Sequence, residues 1–390
     1  MGFLGNNSTI ANESSHMDFG FNLPWWQQFL FITAFSLLFI VAAAGNIIVI
    51  WIVMAHKRMR TVTNYFLVNL AIADALISVL NTLFTFTFCL YQDWWYGDAY
   101  CRFTQFISLC TVTASVLTFM AIAIDRYMAI IHPLRPRMTG RVVLAICMIW
   151  GVSTFLSIPN LIYGTTKVQQ FGNISITVCF IQWPDGNANT GSRTDFAYNV
   201  LIILVTYLLP MTTLAVTYSR IGVELWGSRA IGENTPVQYE RIKSKRKVVK
   251  MMVVVVVIFG ICWVPYHLYF IFASYTEIER YNNVQQIYLI IYWLAMSNSM
   301  YNPLIYCWMN AKFRQGFIRV FCCCPCVPCK RARNTIRHGR TLFPAGQYTT
   351  TEKYDRNGSM MHTMTEYVDD HNSAVTRKDK KGRRDSDDYL

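Results

Sequence analysis

The chain has 390 residues, 53% of them hydrophobic and only 15% charged, with a formal net charge of +13. That is too apolar for a soluble protein with ordinary loops. The charge is also arranged wrongly for a nucleic-acid partner, because no Lys or Arg precedes Lys57 and the basic residues gather in alternate segments between apolar runs.

Runs of about 20 apolar residues can each cross a bilayer as a helix. Taken in chain order they fall near Gln27–Ala55, Val62–Tyr91, Tyr100–Ile131, Val142–Ile162, Phe196–Leu225, Val248–Tyr275 and Val284–Met309. The segment before the first run, 1–26, lacks a basic region followed by a short apolar core. No cleaved signal is expected, and the first run would itself direct insertion. If 1–26 is extracellular, the outer segments carry only Arg102, Lys167, Arg193 and Arg280, and the rest of the 35 Lys and Arg lie at inner span ends, in inner loops or in the tail. This positive-inside bias sets the orientation. The expectation is an all-α membrane protein, multi-pass in the plasma membrane, with seven transmembrane helices over 27–309, the N-terminus extracellular and the C-terminus cytoplasmic. Asn6, Asn7, Asn12 and Asn173 each begin an Asn-x-Ser/Thr glycosylation acceptor, and all fall on outer segments. The same segments hold Glu13, Asp18, Asp93, Asp98, Asp185, Asp195, Glu277 and Glu279. Eight acids against four bases form a negative rim that favours a cationic ligand; ordinary solvated loops account for it equally well.

The twelve cysteines divide by compartment. Cys101 and Cys179 are the outer pair, and an oxidising exterior permits a disulfide tying the long outer loop to the head of the third span, unless Cys89 also lies near the surface. Cys110, Cys147, Cys262 and Cys307 read as small buried apolar residues. After the seventh span, Lys312, Phe313, Arg314, Phe317, Ile318 and Phe321 follow an amphipathic pattern suited to a helix on the inner leaflet. A cysteine cluster closes this 310–329 segment. Cys326 and Cys329 have Cys-x-x-Cys spacing, but a second zinc-ligand pair is missing. Palmitoylation at Cys322, Cys323 and Cys324 fits better. The tail, 330–390, is polar with mixed charge and is expected to be disordered. Its Thr349-Thr350-Thr351-Glu352 stretch and Ser386 offer phosphorylation sites for an arrestin-like regulator, or are simply solvated.

Polar groups inside the spans are the functional candidates, since charge there is expensive. Asp125-Arg126-Tyr127 closes the third run; Asp74 lies mid-span in the second. In the seventh, Tyr288, Tyr292, Ala295, Ser299, Asn302 and Tyr306 recur at steps of four and three, which keeps them on one helix face. At about 1.5 Å per residue this stripe runs roughly 27 Å, nearly the hydrocarbon thickness. Pro303 in that span and Pro265, after Trp263, in the sixth permit local bends. They suit a two-state switch, or are static kinks.

Seven spans with Asp125-Arg126-Tyr127 after the third resemble the rhodopsin-like receptors. The resemblance implies that Arg126, paired with Asp125, meets a heterotrimeric G protein, with Tyr127, Trp263, Asn302, Pro303 and Tyr306 in the switch. It also implies an internal sodium ion among Asp74, Ser115, Trp263, Asn298, Ser299 and Asn302, whose oxygens are hard ligands; a hydrogen-bonded packing network is the other reading. Longer stretches, Lys57–Phe66, Asp125–Leu134, Lys245–Met252 and Trp293–Ser297, are similar to the tachykinin (neurokinin) receptors over roughly Trp25 to Phe321. That likeness implies an amidated neuropeptide ligand, signalling through Gq, and a peptide site matching Asn81, Trp94, His267, Phe270 and Tyr288. Asn160 stands where vertebrate members have glutamine, and Asp74 replaces a glutamate of some members. Such departures suggest the invertebrate tachykinin-related branch, whose peptides end in arginine amide. Each pocket residue could instead merely pack.

A receptor for another amidated neuropeptide is the runner-up. A transporter would show charged pairs near the midplane or repeated halves, but only Asp74 is central. No nucleophile elbow, phosphate loop or metal-binding pair suggests an enzyme.

Overall fold

The computed structural model describes residues 23–132, 139–171, 174–186, 192–227, 236–275, 283–323, 346–354 and 360–369. Asn6, Asn7, Asn12, Asn173, Cys324 and Ser386 lie outside the described residues. Among the described residues, the long helices are α1 Trp25–Ala55, α2 Val62–Tyr91, α3 Gly97–Ile131, α4 Val142–Tyr163, α5 Arg193–Gly227, α6 Pro236–Tyr275 and α7 Val284–Met309, followed by the shorter α8 Ala311–Cys323. Six of these, α1 to α6, contain stretches long and apolar enough to cross a membrane, among the described residues. The seventh is more polar because it carries Ser297, Asn298, Ser299 and Asn302, all buried.

Helix α1 shows why these helices need lipid. Phe35, Leu38, Ala42, Asn46, Val49 and Val53 are buried at helical spacing, yet the opposite face is equally apolar, with Leu37, Ile40 and Ile47 each more than half exposed. A helix apolar all round is stable only where both faces meet apolar surroundings. Cys147 follows the same logic. It is exposed on α4 rather than buried, which corrects the sequence expectation; in lipid, an outward thiol behaves as a small apolar group.

Helix α3 is the hub, packing on α2, α4 and α5, while α1 packs on α2 and α7, and α6 on α7. Two local departures from regular hydrogen bonding have a proline behind them. Pro210 cannot donate to the carbonyl one turn back, and a π-turn over Leu204–Leu208 immediately precedes it. A second π-turn, Ser78–Thr82, follows Asp74 and contains Asn81. The plain seven-residue step placing those two on one face is therefore modified, although both side chains still bond α7. Pro303 deprives the Ser299 carbonyl of its helical donor, and Asn46 Nδ2 from α1 fills the vacancy at 3.0 Å. A buried carbonyl left unpaired would cost about 1–3 kcal/mol. Gly45 permits that approach, since a Cβ there would lie 2.9 Å from the Pro303 ring.

The seven-helix expectation stands, and a hairpin that helix counting does not anticipate joins α4 to α5. Strand β1, Gly164–Phe171, pairs antiparallel with β2, Ile174–Ile181, with Thr166 opposite Cys179. The alternating Ile174, Ile176, Val178 and Phe180 supply the β-branched and aromatic content of a strand. Cys179 is joined to Cys101 at the head of α3, with Cα atoms 5.7 Å apart, while Cys89 is a buried free thiol. Helix α8 docks by burying Phe313 completely. Gly316 lies against Ile52, where a Cβ would meet it at 2.7 Å.

In the second unit, residues 321–390, two stretches of the tail are extended strands. Strand β3, Gly346–Tyr354, pairs antiparallel with β4, Met360–Asp369. Threonine, tyrosine and valine favour the extended chain there despite the polar composition.

Candidate functional site

Three groups of side chains lie along the bundle. At the end away from the β1–β2 hairpin, Arg126 Nη2 and Nε donate to Asp125 Oδ2 at 2.6 and 3.2 Å. The same oxygen accepts from Thr63 Oγ of α2 at 2.7 Å. Arg126 and Asp125 side chains are only 26% and 16% exposed, so the pair is worth more than a fully solvated one. Tyr127 packs against Ile221, Leu225 and Val249, and the Tyr306 ring lies tilted against Phe313 of α8, with centroids 5.6 Å apart. Thr63 was missed by sequence reasoning, since a threonine at the start of a helix carries no signal of its partner.

Midway, Asp74 is fully enclosed and accepts from Asn302 Nδ2 at 2.7 Å, Ser299 Oγ at 3.1 Å and Ser115 Oγ at 3.3 Å. A cavity of about 10 Å³ adjoins it, lined by Asp74, Ser115, Trp263, Asn298 and Ser299 among others; that is room for one water-sized occupant. Asn298 Oδ1 and Trp263 Nε1 are buried without a hydrogen-bond partner. The structure thus brings together Asp74, Ser115, Trp263, Asn298, Ser299 and Asn302 as a set. A hydrogen-bond relay missed by sequence lies beside them: Trp150 Nε1 donates to Asn69 Oδ1, and Asn69 Nδ2 to Thr118 Oγ, both at 2.8 Å.

Toward the hairpin end an aromatic cluster begins at Trp263. His267 lies 4.9 Å from Tyr207 and 5.9 Å from Trp263 between ring centroids. Phe270 meets Tyr266 at 4.8 Å and Tyr288 at 6.5 Å, and Tyr288 stacks on Tyr292 at 6.0 Å. Asn81 Nδ2 donates to Tyr292 Oη at 3.1 Å, while its oxygen accepts from Thr85 at 3.0 Å. His267, Phe270 and Tyr288 therefore share one cluster, and Asn81 joins it through Tyr292. Trp94 and Asn160 are placed in other packings. The Trp94 indole is buried among Phe88, Tyr96 and Tyr100 and donates to the Gly97 carbonyl at 2.9 Å. Asn160 Nδ2 donates to the Gln105 carbonyl at 3.2 Å, and its buried oxygen has no partner.

The acids of the hairpin end are mostly fasteners. Asp93 accepts the Thr177 N–H at 2.8 Å and Asp98 the Thr166 N–H at 2.9 Å, pinning both strands. Asp195 accepts from the buried Trp183 indole at 2.7 Å. Asp185 is held down to about 2 by the Ser192 hydroxyl and the Thr194 N–H. Glu13, Asp18, Glu277 and Glu279 lie outside the described residues. Among the described residues, the acids of the negative rim thus have structural work of their own.

Residues 45–306 match the family model described as 7 transmembrane receptor (rhodopsin family). The chain is 56% identical to the Drosophila melanogaster tachykinin-like peptides receptor 99D over 309 residues, 78% of this chain and 59% of that protein. It is 50% identical to the 86C receptor of the same organism over 316 residues, 80% and 62% of the two chains. The human neuromedin-K receptor is 41% identical over 362 residues, 92% of this chain and 75% of that one. The match thus spans about three fifths of the length of the two Drosophila relatives. Seven helices, a carboxylate held mid-bundle and a paired arginine at one end agree with that match, and the chain belongs to the rhodopsin family of seven-transmembrane receptors.

Proposed function

We propose that this chain is a receptor for an amidated tachykinin-related peptide, which enters at the hairpin end and activates a heterotrimeric G protein of the Gq class at the Arg126 end. The charge bias supports an extracellular hairpin and a cytosolic Arg126. The observation that carries the reading is the buried face of α7. Tyr288 and Tyr292 lie in the aromatic cluster, Ser299 and Asn302 on Asp74, and Tyr306 at the α8 end. One helix face thus runs from the aromatic cluster through the Asp74 set to the α8 end, so a ligand that repacks its outer turn has a physical route to its inner one. The two Drosophila relatives, named as receptors for tachykinin-like peptides, support the ligand class. Acylation of Cys322 and Cys323, which close α8, and arrestin recruitment by the tail belong to the same proposal.

The peptide amide is expected to exchange into the Asn81–Tyr292 hydrogen bond. A free acid removes a donor and adds a charge, so potency falls at least about tenfold, since 1.4 kcal/mol is a decade and an unpaired buried group costs about 1–3 kcal/mol. Asn81→Ala shrinks the gap between amide and acid peptides, while leaving the effect of changes at the other peptide end alone. Calcium release in transfected cells measures this cycle. Equipotent amide and acid, or equal losses for both in Asn81→Ala, would show the orientation to be wrong.

The Asp74 cavity fits sodium. It offers one carboxylate, two serine hydroxyls and the unpartnered Asn298 oxygen, all hard donors. Asp74, Ser115, Asn298, Ser299 and Asn302 would hold the ion, which supplies positive charge to the enclosed carboxylate. Bound preferentially at rest, it opposes agonist binding through differential affinity. Raising sodium at constant ionic strength should lower agonist affinity and raise the thermal stability of purified receptor. Asp74→Asn should abolish both responses; a wild-type receptor indifferent to sodium in both assays rejects the site.

A further inference from the structure

The inner ends of α5 and α6 carry a cluster outside the three groups described above. On α6 the exposed apolar residues Val253, Val257, Ile261, Val264, Leu268 and Ile271 recur at steps of four and three, so they share the face turned to lipid. Val253 to Ile271 rises roughly 27 Å at about 1.5 Å per residue, close to the ~30 Å hydrocarbon core. Counting back from Val253, the next residues on that face are Lys250 and Arg246. They extend the lipid face past the hydrocarbon edge. On α5 the exposed Leu209, Val216 and Val223 recur every seven residues, and Trp226, 45% exposed, follows one turn later. An aromatic ending a lipid-facing stripe sits at headgroup level.

These ends meet. The Arg246 guanidinium lies 5.6 Å, and the Lys250 ammonium 6.0 Å, from the Trp226 ring centroid. Two cations share one indole, each drawn to its π-face. Arg246 Nε and Nη2 donate to the Leu225 carbonyl at 2.9 and 2.6 Å, which fixes the guanidinium and leaves its remaining N–H groups pointing elsewhere. Among the described residues neither cation has a carboxylate within ion-pair distance. A phosphate would neutralise both.

We infer that Arg246, Lys250 and Trp226 form a headgroup site for an anionic phospholipid of the inner leaflet. The lipid face favours this occupant over an acidic protein. A protein partner meeting Arg126 would approach the bundle interior, where Leu225 and Ile221 pack on Tyr127 and Ile130. The acyl chains lie along the exposed stripes, and the phosphate accepts from Arg246 and Lys250 with the indole beneath. The site needs the cytosolic placement of these ends but is independent of which peptide the receptor binds.

Full-length receptor in nanodiscs of phosphatidylcholine doped with phosphatidylserine or phosphatidylinositol 4,5-bisphosphate tests this, with retained lipids counted by native mass spectrometry. Arg246→Gln with Lys250→Gln should weaken retention about fivefold per cation, roughly 25-fold together. Trp226→Leu should weaken it severalfold. Lys312→Gln with Arg314→Gln on α8 should change little. Soluble inositol trisphosphate should compete poorly, because it lacks the chains. Wild-type receptor can also be photo-crosslinked with a headgroup-diazirine anionic lipid, which requires no substitution. Adducts within peptides spanning Val223–Gly227 or Lys245–Val253 are expected. Unchanged retention in the Arg246/Lys250 variant, adducts confined to other helices, or coupling lost equally in pure phosphatidylcholine, which would mark a protein contact, each overturns the proposal.

Discussion

Arg126→Ala receptors, displayed at normal surface density, are expected to bind peptide and activate no G protein. In the structure Arg126 gives two N–H groups to Asp125, and Asp125 is steadied by Thr63. All three contacts lie at the end of the bundle away from the hairpin and are partly exposed, so the arginine is held, yet near enough to water to be released. Alanine removes the group that would leave, and no other described side chain can substitute for it at that point. Asp125→Asn acts in the opposite direction by weakening the hold. If the active form is about 1% populated at rest, losing about 1.4 kcal/mol of restraint raises it nearly tenfold. Thr63→Val, which deletes one hydrogen bond worth about 0.5–1.5 kcal/mol net, should raise basal activity less. Nucleotide exchange on purified G protein, with and without peptide, reads both effects. Full peptide-driven exchange by Arg126→Ala, or an unchanged basal rate in Asp125→Asn, would remove the triplet from the switch.

The second large effect is expected from the disulfide. Cys101→Ser or Cys179→Ser alone should lower surface display and peptide affinity together, the latter at least about tenfold, and the double substitution should be no worse than either single one. The bond closes a separation of 78 residues; a native disulfide contributes about 2–5 kcal/mol. Cys179 pairs with Thr166 within the hairpin, so losing the bond frees the hairpin from the head of α3. The Asp93–Thr177 and Asp98–Thr166 hydrogen bonds remain, which is why some display should survive. Adding Asp98→Ala should remove much of that remainder. Flow cytometry and radioligand binding measure the two quantities. Normal display and affinity in either single variant, or free thiols at both positions by mass spectrometry of folded receptor, would count against the brace.

Periodicity and expense made the spans and the α7 stripe legible in sequence. A buried polar group in an apolar run is costly, so its presence marks a partner, and a 3.6-residue repeat says which neighbours share its face. Tyr288, Tyr292, Ser299, Asn302 and Tyr306 are all buried, as their spacing requires. The Asp74 set was legible only through family resemblance, because its members come from α2, α3, α6 and α7. Their meeting depends on how each helix is rotated about its axis. The π-turn at Ser78–Thr82 shows the difficulty: one widened turn re-aims every residue beyond it.

By itself the sequence determined the seven apolar spans, the charge asymmetry across them, the identity of the polar groups inside and the outer cysteine pair. Each of these follows from local composition and spacing measured against the fixed thickness of a bilayer. Only the tertiary structure decided that Thr63 steadies Asp125, that Asn46 fills the carbonyl left by Pro303, and that the outer acids fasten a hairpin. The same holds for Trp226 lying beneath Arg246 and Lys250. These are contacts between segments far apart in the chain, set by helix rotation, proline-linked bulges and close approaches such as Gly45 on Pro303, and no local pattern in the residues encodes them.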